Sequence, residues 1–146
     1  MIKKRTVQIQ LVSNNQEFQN FLHVQTKSKE ISSQVTQEAL KLEIEYQGKT
    51  YKSSGKNSDF EKQLKELENE LPSDVYLKIC FNCRLSEYPP NIVNSSKLRC
   101  FKNAKSEFKK IKDKWAFIEL WTEKGIDVDE TYLCPEFEKR PPFVWR

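Results

Sequence analysis

The 146-residue chain carries 25 Lys and Arg against 21 Asp and Glu, a net charge of +4, with 37% hydrophobic and 32% charged residues. Nine Phe, five Tyr and three Trp supply enough apolar bulk for one modest core, and three Gly and six Pro exclude a collagen-like or low-complexity chain. The N-terminus, MIKKRTVQIQLV, has no apolar core of signal-peptide length, and the sequence has no run of about 18 apolar residues, so a cytosolic protein without a membrane span is expected.

In chain order, Val7, Ile9 and Leu11 alternate with Gln8 and Gln10, which predicts a half-buried strand over 6–12. A second strand is expected over 18–25. Leu40, Leu42, Ile44 and Tyr46 alternate again, and Gln47-Gly48 turns the chain into Lys49–Lys52, which reads as a hairpin. The following SSGKNS is expected to be a boundary loop.

Ser58 and Glu61 have the spacing of a capping box. Phe60, Leu64, Leu67 and Leu71 then recur at helical spacing until Pro72 ends the run. Val75, Leu77, Ile79 and Phe81 alternate as a strand leading into the first thiol. A second helix is expected from Ala104 to Lys124, with Ala104, Phe108, Ile111, Trp115 and Ile118 as its apolar stripe. Phe117 and Trp121 fall off that stripe, and Gly125 stands where a C-terminal cap would. The tail has no clear period. This order predicts an α+β fold, a mainly antiparallel sheet with one or two packed amphipathic helices, in a single domain over 1–146. Its strand-rich part is 1–56, and its helix-strand-helix, cysteine-containing part is 57–146.

Four cysteines, Cys80, Cys83, Cys100 and Cys134, carry the strongest chemical signal. The C-x-x-C pair lets two sulfurs face one ion, and two further thiolates would complete a closed, structural zinc site. Reduced, inert thiols are the alternative. Redox chemistry is a third reading, disfavoured because Pro89 and Pro90 oppose the helix that such motifs open.

The C-x-x-C run, Ser86-Glu87-Tyr88, the stretch LRCFKNAK at 98–105 and the stretch TYLCPEFEKR at 131–140 together resemble a family of small bacterial proteins classed as a domain of unknown function. The resemblance covers roughly residues 75–146. It implies a bacterial source and a compact domain, and it implies no activity. Family members look glycine-rich between the second and third thiols, where this chain has Asn91–Ser96.

Other groups carry weaker chemistry. His23 is the lone histidine, so no Ser/His/Asp triad can be read. An enzymatic reading would use either Cys80 or Cys83 as nucleophile, or Glu136 and Glu138, which flank Phe137, as acid and base. Lys102, Lys105, Lys109 and Lys112 share one face of the predicted helix, in a block (95–124) with nine basic against four acidic residues. That face would suit nucleic-acid phosphates, or simply solvent. Phe143 and Trp145, behind Pro141-Pro142, are expected to strap onto the core. The leading expectation is a non-catalytic cytosolic protein with a structural four-cysteine zinc site that binds another protein.

Overall fold

The computed structural model describes residues 1–90 and 97–141, in two compact units, Met1–Leu77 and Lys78–Arg146. The fold is α+β, as the order of elements predicts.

In the first unit, β1 (Ile2–Ser13), β2 (Gln16–Ile31), β3 (Gln34–Tyr46) and β4 (Lys49–Lys52) form a meander, followed by α1 (Phe60–Glu70) and β5 (Val75–Leu77). The sheet order is β4-β3-β2-β1-β5, antiparallel throughout. Three two-residue turns join the first four strands: Asn14-Asn15, Ser32-Ser33 and Gln47-Gly48. All six residues have positive φ, between 50° and 76°. Paired positive φ is the twist-matched hairpin turn. The third was predicted from Gly48. The other two lack glycine and give no comparable signal.

Ile9, Leu11, Leu22, Val24, Leu42 and Ile44 form the buried sheet face, and Leu64 and Leu67 of α1 are also buried. α1 packs on β3 and β4. Asp59, not Ser58, caps α1, accepting from the Lys62 N–H at 3.2 Å. Glu61 pairs instead with Lys65 at 3.0 Å.

The SSGKNS loop lies inside the first unit rather than at its boundary. It is tied to the sheet and α1. Ser53 Oγ accepts from Leu42 N–H, and the buried Gln63 side chain accepts from Gly55 N–H.

In the second unit a three-stranded sheet, order β6-β7-β8, joins β6 (Ser86–Glu87), β7 (Arg99–Cys100) and β8 (Ile126–Asp127). The strand expected through Phe81 ends at Leu77, and Cys80–Asn82 form a 3-10 turn instead.

The long helix expected over 104–124 is two helices, α2 (Lys105–Lys109) and α3 (Lys114–Lys124). Asp113 starts α3 afresh, its carboxylate accepting from Ala116 N–H at 2.8 Å. The restart changes the phase. Trp115 is 72% exposed, while Phe117, Leu120 and Trp121 pack with Phe101 and Ala104. Gly125 ends α3 in an extended conformation, not a left-handed cap. Glycine is needed there for space, because a Cβ would lie 2.8 Å from the Trp121 carbonyl oxygen. The strap expected at Phe143 and Trp145, and the Asn91–Ser96 loop, lie outside the described residues.

Candidate metal centre

Local backbone geometry brings the four cysteines of the second unit toward one another. Cys80 and Cys83 stand at the two ends of the 3-10 turn, with Cys83 N–H donating to Cys80 C=O at 3.1 Å. Ser86 Oγ donates toward both cysteine carbonyls, Cys80 and Cys83. Cys100 sits on the middle strand, β7, between Ser86 and Ile126. The segment 130–140 runs alongside the turn. Cys80 N–H donates to Tyr132 C=O, Phe81 N–H to Glu130 C=O and Arg84 N–H to Glu138 C=O. This brings Cys134 alongside. Cys80, Cys100 and Cys134 line a cavity of about 280 Å³, together with Lys102, Asp127, Asp129 and Tyr132.

All four cysteines are free thiols; Cys80, Cys83 and Cys100 are buried and Cys134 is partly so. Burial, then the neighbouring Cys134, Cys83 and Cys100, push the Cys80 thiol up to about 12. Burial also raises Cys100, opposed by a hydrogen bond from the backbone of Lys102. Two other sulfurs accept backbone hydrogen bonds. Leu85 N–H donates to Cys83 Sγ at 3.5 Å and Glu136 N–H to Cys134 Sγ at 3.4 Å. Each donor is two residues beyond its cysteine. A thiol is a weak acceptor, and such amides stabilise sulfur most when it carries charge. Among the described residues, however, no group of three or more His, Cys, Asp or Glu side chains is already arranged to hold a metal ion.

Arg140 locks this corner from outside the cavity. Its guanidinium reaches Glu87 at 3.2 Å, Ser86 C=O at 2.7 Å and Cys83 C=O at 3.0 Å. Nothing in the local sequence around Arg140 marks this role. Its true partners lie more than 50 residues away.

The lysines expected on one helix face are dispersed. Lys102 lies in a 3-10 turn, Lys105 and Lys109 in α2, and Lys112 between helices. Lys105 pairs with Glu136 at 3.6 Å and with Glu138 at 3.8 Å, and Lys109 with Glu138 at 3.0 Å. The Lys109 hydrogen bond holds the Glu138 carboxyl below the usual carboxylate range. His23 is in the other unit, exposed on β2 beside Thr6 Oγ1 at 3.3 Å.

These features define an α+β protein with a hairpin meander in one unit and a thiol cluster in the other. The chain belongs to a family of unknown function (DUF6304), whose family model matches residues 4–86. The match spans the meander, α1, β5 and the C-x-x-C turn, and overlaps the stretch that carried the sequence resemblance only from 75 to 86. No curated protein and no solved structure matches the chain. No helix among the described residues is long and apolar enough to cross a membrane.

Proposed function

We propose that the chain is a non-catalytic binding protein whose second unit is held together by one structural zinc ion on Cys80, Cys83, Cys100 and Cys134. The carrying observation is that Cys80, Cys100 and Cys134 line one cavity, with two backbone amides, Leu85 and Glu136, each donating to the sulfur of the cysteine two residues before it, Cys83 and Cys134. Inert thiols need no such donors, whereas thiolate ligands are commonly held by hydrogen bonds around the site. Ligation by all four cysteines would join the 80–83 turn, β7 and the 130–140 segment through one ion, so metal binding would contribute directly to the stability of this unit.

Catalysis at these groups is less favoured on chemical grounds. A thiol held near 12 is a poor nucleophile at neutral pH. Glu138, tied to Lys109, stays ionised and cannot serve as a general acid. Nucleic-acid binding through Lys102, Lys105, Lys109 and Lys112 remains the second reading. It has less behind it, because two of those lysines already face carboxylates. Salt-dependent retention on RNA or DNA would support it, and no retention at low salt would end it.

The deciding experiment is metal content by elemental mass spectrometry on protein purified without added zinc. About one zinc per chain is expected, lost in Cys83→Ser and in Cys134→Ser. A metal-free wild type, with a melt unmoved by chelator, would overturn the reading.

A further inference from the structure

The first unit carries an open sheet edge. β5 pairs with β1 only at Leu11–Ser13. From Ile2 to Gln10, β1 has β2 as its sole strand neighbour among the described residues. Ser13 and Gln16 flank a two-residue turn, and Met1 exchanges both main-chain bonds with Ser28. Odd-numbered residues of β1 therefore bond to β2, and Ile2, Lys4, Thr6, Gln8 and Gln10 turn their main-chain groups outward. The opposite edge is partly used. Leu40 N–H donates to Asn57 C=O, and Leu42 bonds Ser53.

Charge says what could fill the open edge. Lys3, Lys4 and Arg5 stand together on it and project to both sheet faces. The adjoining strands are mixed, with Lys27, Lys29 and Lys41 against Glu30, Glu38, Glu43 and Glu45, so the basic character of the edge is that of Lys3, Lys4 and Arg5. A second copy would set one basic arm against another. An acidic strand would meet complementary charge. On the face away from the core, a groove of about 510 Å³ crosses β1, β2 and β3, lined by Lys4, Thr6, His23, Lys41, Glu43 and Glu45, and it adjoins the open edge only at Lys4–Thr6.

We propose that the β1 edge from Ile2 to Gln10 binds an extended acidic segment of a partner protein by strand addition. This rests on the reading of the chain as a binding protein, and not on its metal.

The test is fluorescence polarisation of the intact chain with a labelled peptide of Glu-Val repeats, and with Lys-Val repeats as the control. The Glu-Val peptide should bind saturably and more weakly as salt rises. Thr6→Pro removes one outward N–H and spares the β1–β2 ladder, so it should weaken binding roughly tenfold or more, while Thr6→Ala should not. If Thr6→Pro melts early, the double reversal Lys3→Glu, Arg5→Glu carries the same expectation. No Glu-Val binding, equal Lys-Val binding, or binding unchanged in the folded variants would overturn the proposal. So would dimerisation abolished by Thr6→Pro, since a second copy would then own the edge. Metal content measured on the same sample separates failure of the zinc reading from failure of this one.

Discussion

Arg140 Nη1 lies 3.2 Å from Glu87 Oε2, with only 13% and 9% of the two side chains exposed. The same guanidinium also bonds the carbonyls of Cys83 and Ser86. Removing one partner of a buried ion pair leaves the other charge in a poor environment, at a cost of about 3–5 kcal/mol. Arg140→Ala should therefore lower the melting temperature of the second unit sharply. Arg140→Lys should restore little of it, because an ammonium cannot span the same fork of acceptors. A thermal melt followed by near-UV circular dichroism checks both.

The turn residues offer gains as well as losses. Ser33 has φ 67° and Asn15 has φ 61°, conformations that disfavour a side chain. Ser33→Gly should stabilise the first unit by about 1 kcal/mol, and Asn15→Gly by less, since Asn tolerates this region. Gly48→Ala should cost a similar amount through its φ of 76° alone, because beyond its chain neighbours nothing lies within 4 Å of the new methyl group. Urea titration of the three variants measures this.

Gly125→Ala tests a different constraint. Its Cβ would lie 2.7 Å from Arg99 Cδ and 2.8 Å from the Trp121 carbonyl oxygen. The arginine end can move, but the carbonyl belongs to the helix backbone. Shifting it also disturbs the Arg99 Nη1 bond to that oxygen, 2.8 Å long. A loss of about 1–3 kcal/mol is expected in a denaturant melt.

Two opposite pH dependences should distinguish the metal-free and zinc-loaded states. In the metal-free fold, burial raises Cys80 from the ordinary 9.0 to about 12 and also raises Cys100. Between those values the folded chain holds a proton that the unfolded chain has lost. Stability is thus fully present below pH 9.0 and declines as pH climbs toward about 12. If the chain takes up zinc as proposed, protons would compete for the thiolates, and metal and stability would be lost on acidification instead. Melting temperature against pH, with and without chelator, reads both arms.

Trp115 and Trp121 illustrate what the sequence hides. A continuous helix from Ala104 puts Trp115 in the apolar stripe and Trp121 outside it. The structure reverses them, at 72% and 2% exposed. Asp113 caused the reversal, because a capping side chain restarts helical phase and the hydrophobic period alone cannot register it. Trp121→Ala should cost about 3–5 kcal/mol and Trp115→Ala almost nothing.

The core halves of β1 and β3 were readable because one face is buried and the other wet, which imposes alternation. Their outer halves, with β2 beyond Thr26, are wet on nearly all sides, so 34–38 and 27–33 show no period to read. The cysteines were visible by type. Their approach to one another was not, since it depends on main-chain bonds between residues 80–84 and 130–140.

The meander has a kinetic corollary. Three of the four strand pairings in the first sheet join neighbours across two-residue turns, so each can zip from its own turn with little loop entropy to overcome. The fourth, Leu11 to Leu77, closes only after α1 and everything before it has been traversed. Mutations in β5 should therefore accelerate unfolding while leaving the refolding rate nearly untouched, and mutations beside the turns should do the reverse.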